Sequence, residues 1–177
     1  MIGVLVSGAG TNLQALIDAG LPIAAVASNR PEARALERAT EAGIPARVFE
    51  LDNYANRDAR DRELADWLQL RGVDLVVLAG YMHLLTASFL DRFPDRIVNV
   101  HPSLLPAFPG AHAIDDALRA GVDTTGVTVH YVDEGLDSGA VIRQEPVTVE
   151  PRATLVERIH AVEHRLLPEV VQELCAR

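Results

Sequence analysis

The sequence predicts an α/β fold, a Rossmann-like open, mostly parallel twisted sheet with helices on both faces and an antiparallel C-terminal part. Three observations predict this fold. Short apolar runs alternate with helix-like segments, as in βαβ units. The runs at 75–79 and 97–100 are apolar on both faces, as buried parallel strands are. The runs at 126–132 and 139–149 are joined by a loop too short for a helix, so we expect them to pair antiparallel.

The individual elements follow from the same alternation. Predicted helices cover 12–19, 31–42 and 57–71, and each is followed by a glycine, the residue that most readily adopts the left-handed backbone after a helix. Pro31 suits a first helical position. The predicted strands are the apolar runs Ile2–Val6, Ile23–Ala27, Arg47–Phe49, Leu75–Ala79, Ile97–Val100, Val127–Val132 and Ala140–Ile142 with Val147–Val149.

The last segment, 154–177, is predicted to be helical. Thr154 and Glu157 have the spacing of a capping box, and Pro168 is expected to break or kink the helix. The charged run at 57–63 is typical of a solvated helix face. The 177 residues contain no repeat or linker, so we expect a single domain spanning 1–177.

Composition narrows the class of protein. The net charge of −9 and the pI of about 5.0 disfavour nucleic acid as a partner, because an acidic surface repels phosphate backbones. No apolar run approaches the roughly 20 residues that cross a bilayer, and the start resembles a strand rather than a signal peptide. We therefore expect a cytoplasmic protein without membrane contact. All 16 basic residues are arginine, so any bound anion must be held by arginine or backbone N–H groups.

Asn99, His101 and Asp137 are the strongest candidates for catalysis. Asn99 lies within a buried strand and must be hydrogen-bonded there, and His101 shares its face of the strand. Asp137 lies in a glycine-flanked loop, where it could orient the imidazole. An amide, an imidazole and a carboxylate can polarise a carbonyl and move a proton, which favours acyl or formyl transfer. A structural asparagine and a turn aspartate are the plainer interpretations.

The first loop, 7–12, is glycine-rich and opens a helix, which favours phosphate binding at the helical N–H groups. A tight strand-to-helix turn is the alternative. A dinucleotide site is disfavoured because Leu13 replaces the third glycine of that motif. The run 160–164 has a zinc-peptidase pattern without a later third ligand, so we predict no metal. His112 and His130 are more typical of satisfied histidines than of catalysts.

At these residues the chain resembles the glycinamide ribonucleotide formyltransferases, the folate-dependent enzymes of purine synthesis. The resemblance runs nearly from end to end. It is carried by the following segments: Ser7-Gly8-x-Gly10-Thr11-Asn12-Leu13-Gln14-Ala15, Leu78-Ala79-Gly80-Tyr81-Met82, Asn99-Val100-His101-Pro102-Ser103-Leu104-Leu105-Pro106, Phe108-Pro109-Gly110 with His112, Gly126-x-Thr128-Val129-His130, Leu136-Asp137-x-Gly139 and Glu163-His164.

The resemblance implies a formyl transfer from 10-formyltetrahydrofolate, as co-substrate, to the amine of glycinamide ribonucleotide. It implies that Asn99, His101 and Asp137 are catalytic. The ribonucleotide site it implies comprises Gly10, Thr11, Asn12, His160 and Glu163. The folate site it implies comprises Arg57, Met82, His83, Leu84, Leu85, Asp133, Glu134, Gly135 and Leu136. The family commonly has arginine at the position of His83.

Two other functions remain open at this point. A formyltetrahydrofolate hydrolase would use the same three residues on water. A non-catalytic phosphate- or nucleotide-binding module would use only the first loop, which leaves Asn99 and Asp137 unexplained. In every case the expected partners are small molecules, and the expected assembly is a monomer or a homodimer.

Overall fold

The structure is a computed structural model that describes residues 1–176 and divides into two compact units. The first unit is Met1–Val98 and the second begins at Asn99. The predicted single domain stays a prediction. The helical end predicted at Arg177 lies outside the described residues.

The first unit is built from parallel strands with helices between them. Its strands are β1 (Ile2–Val6), β2 (Ile23–Ser28), β3 (Ala46–Val48) and β4 (Leu75–Leu78), and its helices are α1 (Thr11–Asp18), α2 (Ala35–Glu41), α3 (Arg57–Leu70) and α4 (Ala87–Leu90). β1 pairs in parallel with both β2 and β4, and β2 pairs in parallel with β3. β1 and β4 are buried along their whole length, as their apolar sequences predict.

The second unit carries the antiparallel part. Its helices are α5 (Ala113–Ala120) and α6 (Leu155–Cys175), and its strands are β6 (Thr124–Tyr131) and β7 (Val141–Thr148). The boundary between the units falls within β5 (Ile97–His101), between Val98 and Asn99. β6 and β7 pair antiparallel, and α6 packs on both. The strand order is β3-β2-β1-β4-β5-β6-β7, which confirms the predicted fold class.

Several local predictions are wrong. α2 begins at Ala35 rather than at Pro31, because the Ala35 N–H donates to the Gly8 carbonyl instead of entering a longer helix. β3 begins and ends one residue earlier than predicted. The short helices α4 and α5 were not predicted at all.

The last helix corrects two more expectations. Thr154 is the N-cap of α6, but its side chain caps no N–H group. Its hydroxyl instead donates to the Pro151 carbonyl and accepts from Arg158 Nε, so no capping box forms. α6 runs without a break through Pro168, which is buried within it beside other buried apolar residues, so the predicted break is wrong and the kink stays a prediction. Tertiary packing therefore compensates for the hydrogen bond that proline removes.

The charged run in α3 is not a solvated face throughout. Arg60 and Asp61 have fully buried side chains and pair with each other, with Arg60 Nη2 2.5 Å from Asp61 Oδ1. Their neighbour Arg62 remains exposed and pairs with Asp58. A helix of nearly continuous charge thus contributes an ion pair to the interior of the first unit.

Candidate active site

Asp137 approaches His101 in the second unit, as the sequence predicts. His101 is the last residue of β5, and Asp137 lies in the loop between β6 and β7. His101 Nδ1 is 3.4 Å from Asp137 Oδ2. The Gly110 N–H donates to the same carboxylate oxygen at 2.7 Å. Asp137 has a φ of 52°, in the left-handed region that aspartate tolerates better than most residues.

Both ring nitrogens of His101 face oxygen acceptors. Nε2 lies 2.8 Å from the Phe108 carbonyl oxygen, which can only accept, so Nε2 must carry a hydrogen. Nδ1 faces the Asp137 carboxylate. A ring with hydrogen on both nitrogens satisfies both partners, whereas a neutral ring leaves a lone pair against the carboxylate. The arrangement therefore suits a cationic group that stabilises negative charge.

Asn99 is oriented by His130, a residue that the sequence did not favour for the site. His130 Nδ1 lies 2.8 Å from the Tyr131 carbonyl oxygen, so Nδ1 carries the hydrogen and Nε2 is an acceptor. Asn99 Nδ2 donates to that Nε2 at 3.2 Å. Burial lowers the pKa of His130, which keeps this ring neutral near pH 7. One N–H of the Asn99 amide is thus committed to His130, and the amide carries a second N–H that can donate to a ligand.

A β-bulge lies beside His130. Val129 pairs with Arg143, but His130 pairs with Val141, so β7 has one extra residue at Ile142. Bulges increase the local twist and change the direction of nearby side chains. His130 Nε2 lies 3.7 Å from Asp137 Oδ1, so the same ring nitrogen faces both the Asn99 amide and the Asp137 carboxylate. The only sequence signal for His130 was its place in the family-like motif at 126–130.

The predicted ribonucleotide residues lie on two elements. Gly10 is the N-cap of α1 with a φ of 72°, and Thr11 and Asn12 open the helix. A Cβ on Gly10 would lie 2.5 Å from the Ala35 Cβ, so the turn requires glycine. In the second unit, His160 and Glu163 are three residues apart on α6. Glu163 is buried there, and His160 is exposed and stacks on His164.

The loop after β4 holds most of the predicted folate residues of the first unit. Met82 and Leu84 are 59% and 52% exposed, although both are apolar. Leu85 is half-buried. His83 does not point outward like its neighbours, because both of its ring nitrogens contact protein side chains. Arg57 is the first residue of α3.

The predicted folate loop of the second unit, 133–136, is held by its own first residue. Asp133 Oδ1 accepts from the Gly135 N–H at 3.0 Å and from the Ser138 hydroxyl at 2.8 Å. Glu134 is exposed, and so is Leu136. The carboxylate of Asp133 therefore shapes the loop, and the backbone and Leu136 are the groups left to meet a ligand.

Residues 1–176 show neither a metal-binding cluster nor a membrane-spanning helix. Nowhere in residues 1–176 do three His, Cys, Asp or Glu side chains gather so that they could hold a metal ion. Across the same described stretch, no helix has both the length and the apolar character needed to cross a bilayer.

The formyl transferase family matches residues 1–171, and the chain belongs to this family. Members of such a family use a folate-type co-substrate. The chain is 40% identical over 182 residues to the phosphoribosylglycinamide formyltransferase of Bacillus subtilis strain 168, covering 97% of this chain and 92% of the relative. It is 45% identical over 184 residues to the trifunctional purine biosynthetic protein adenosine-3 of Drosophila melanogaster, covering 98% of this chain and 14% of that protein.

Solved structures are similar over almost the whole chain. The phosphoribosylglycinamide formyltransferase from Bacillus halodurans has a TM-score of 0.95 at 42% identity, covering 99% of this chain and 95% of that one. Glycinamide ribonucleotide transformylase 1 from Symbiobacterium toebii has a TM-score of 0.92 at 48% identity, covering 95% and 84%. These relatives confirm the family that the sequence resembles and give no support to the hydrolase or to the non-catalytic binding module.

Proposed function

We propose that this chain transfers the formyl group of 10-formyltetrahydrofolate to the amine of glycinamide ribonucleotide, giving formylglycinamide ribonucleotide and tetrahydrofolate in purine biosynthesis. The relatives named above support the reaction. The observation that carries it is the grouping of Asn99, His101 and Asp137: the His101 imidazole faces the carboxylate, and His130 Nε2 contacts both the Asn99 amide and that carboxylate. This set matches the needs of transfer at a carbonyl carbon.

The first step is attack of the substrate amine on the formyl carbon. A carbon–nitrogen bond forms, and the carbonyl oxygen becomes an oxyanion. The second N–H of Asn99 and the Nε2–H of His101 are the donors that would stabilise this charge. In this structure the Nε2–H is donated to the Phe108 carbonyl, so the oxyanion must share or replace that acceptor.

The second step is collapse of the tetrahedral intermediate. The bond between the formyl carbon and the folate nitrogen breaks, and the proton lost by the amine ends on that nitrogen. The Asp137 carboxylate holds the His101 ring and can pass this proton through a water molecule. The two steps account for every bond and proton of the transfer without a covalent intermediate on the protein.

The substrate contacts in this proposal follow the family resemblance. The backbone of Gly10 and Thr11, together with Asn12, would hold the ribonucleotide phosphate at the start of α1, and His160 and Glu163 would contact the rest of that substrate. The exposed apolar side chains of the 82–85 loop suit the flat face of a pterin. The folate set also includes Arg57 and the 133–136 loop. We infer a cytoplasmic enzyme that acts as a monomer or a homodimer.

A formyl-transfer assay tests the proposal directly. Formation of formylglycinamide ribonucleotide is compared with release of formate when water is the only acceptor. We expect transfer to the ribonucleotide to dominate. Formate release at an equal or higher rate would contradict the proposal.

Asp137→Asn is the matched variant for this assay. Asparagine tolerates the left-handed backbone at this position, so the change removes the charge and leaves the turn intact. We expect turnover to fall by roughly 10²-fold, the lower end of what general acid–base groups contribute. Unchanged turnover and an unchanged pH–rate profile would remove Asp137 from the mechanism.

A further inference from the structure

His83 lies in a polar network that runs through the first unit. Arg60 Nη1 is 2.5 Å from His83 Nδ1, and Asn29 Nδ2 is 3.2 Å from His83 Nε2. The Ser7 hydroxyl lies 2.5 Å from Asn29 Oδ1 and accepts from the Met82 N–H at 2.9 Å. The imidazole thus joins a buried guanidinium to the residues that hold the start of its own loop.

Hydrogen-bond chemistry determines which ring nitrogen carries the hydrogen. A guanidinium has only donors, so His83 Nδ1 must accept from Arg60. A neutral imidazole then carries its hydrogen on Nε2, which cannot face the Asn29 NH₂ group. The oxygen and nitrogen of an amide exchange places on a half-turn, so Asn29 presents its oxygen to His83 and its nitrogen to Ser7. The Asn29 nitrogen and the Met82 N–H then both donate to the Ser7 hydroxyl oxygen.

The same network holds the far end of the loop. Asp61 Oδ1 accepts from Arg60 Nε at 2.8 Å, and Asp61 Oδ2 accepts from the Thr86 N–H at 2.8 Å. Met82, His83 and Thr86 are therefore all held from the inside. Leu84, between the second and third of these anchors, and the Met82 side chain are left exposed to solvent.

We infer that His83 is a positioning residue: as a neutral Nε2–H tautomer it holds the 82–86 loop against the buried Arg60–Asp61 pair and does not bind the folate itself. This inference rests on the proposed function, in which Met82 and Leu84 meet the pterin.

Protonation of His83 should release the loop. The charged groups around the ring are Arg60, Arg57 and Asp61 from α3 and Arg30 after β2, and the uncharged Tyr81 ring packs edge-on against it. Burial, and then the nearby arginines, lower the pKa of His83 below its usual 6.5. The ring is thus neutral at pH 7, and its protonation in acid removes the acceptor that Arg60 requires.

The first test is the tautomer itself. ¹⁵N spectra of histidine-labelled protein distinguish Nδ1–H, Nε2–H and doubly protonated rings, and the His83→Gln spectrum assigns the signal among the six histidines. We expect the Nε2–H form at pH 7. An Nδ1–H or doubly protonated ring would overturn the inference, whether or not the protein transfers formyl groups.

The second test is kinetic. His83→Leu leaves the Arg60 donor without an acceptor, and we expect the KM for the folate to rise about tenfold, within the range for an unsatisfied buried donor. The KM for the ribonucleotide and kcat should change less than about twofold. His83→Gln keeps an acceptor and a donor and should recover most of the folate KM. Leu70→Gln, at an exposed position of α3, is the matched control.

The pH dependence separates positioning from a general loss of structure. The folate KM of the unmodified protein should rise as the pH falls below the lowered pKa of His83, and His83→Gln should not show that rise. An unchanged folate KM in His83→Leu, or the same acid rise in His83→Gln, would overturn the inference. Absence of formyl transfer by the unmodified protein would contradict the proposed function and leave the tautomer measurement to decide the inference.

Discussion

His101 and His83 both have their two ring nitrogens engaged, but their partners differ in kind. His101 in the second unit faces two acceptors, the Phe108 carbonyl and the Asp137 carboxylate. His83 in the first unit faces the Arg60 guanidinium, which can only donate. The first set of partners suits a ring that donates from both nitrogens, and the second suits a neutral ring.

The difference shows that the neighbours of an imidazole decide its role more than its own identity does. A ring between two acceptors can present positive charge to a developing oxyanion. A ring against a guanidinium can serve only as a neutral link between fixed groups. Substitution of His101 should therefore lower turnover, whereas substitution of His83 should make the 82–86 loop less ordered.

The largest expected effect concerns the buried ion pair beside His83. Arg60→Met leaves the Asp61 carboxylate buried without its partner, which should lower the free energy of unfolding by about 3–5 kcal/mol. Denaturant unfolding measures this change. Arg62→Met is the matched control, because Arg62 is exposed, and should cost less than about 0.5 kcal/mol. Equal losses in the free energy of unfolding would show that the buried pair contributes no more to stability than the exposed pair does.

The next effect concerns His101. His101→Ala removes a donor to the oxyanion and the partner of Asp137, so kcat should fall by roughly 10²–10³-fold. The contrast with Arg60→Met lies in stability, which should change much less here. Steady-state kinetics and unfolding curves on the same preparation compare the two. Arg119→Gln, at an exposed residue of the same unit, is the control. A fall in kcat below tenfold would contradict the assigned role.

A smaller effect is expected at His130. His130→Leu removes the acceptor that orients the Asn99 amide, and kcat should fall about tenfold with both KM values nearly unchanged, as expected for loss of one neutral hydrogen bond. His130→Gln offers an amide oxygen in its place and should recover part of the rate. If both variants lose the same activity, orientation of Asn99 is not the reason.

The smallest effect is the response of stability to acid. Burial lowers the pKa of His83, His130 and His164 relative to the unfolded chain. Below about pH 6.5 the unfolded chain therefore binds protons that the folded chain does not, and stability falls as the pH drops toward the lowered values. For His130 the slope is at most about 1.4 kcal/mol per pH unit.

Unfolding measured between pH 7 and 5 tests this slope. His130→Gln should be less sensitive to acid than the unmodified protein. An identical slope in the two proteins would mean that His130 titrates alike when folded and unfolded.

The sequence was sufficient for Asn99, His101 and Asp137 to be expected together, because strand periodicity and the family-like segments point to the same residues. It was not sufficient for Arg60 and Asp61, which lie in a run where nearly every residue is charged. Helical spacing alone could not show which of those charges face inward. The sequence also did not predict a place for His130 in the site, because the position of this ring depends on a bulge and on a partner 31 residues away in the chain.

The bulge in β7 makes the number of residues in that strand part of the site. The loop that carries Asp137 leads directly into this strand, and Ile142 is the one residue without a counterpart in β6. Deleting Ile142 would keep every candidate catalytic side chain in the chain. It would also leave Arg143 and Val141 opposite Val129 and His130 in regular pairing, so the added twist of the bulge would be lost. A change in the length of β7 would thus change the local twist and the direction of side chains beside His130 without replacing any candidate catalytic residue.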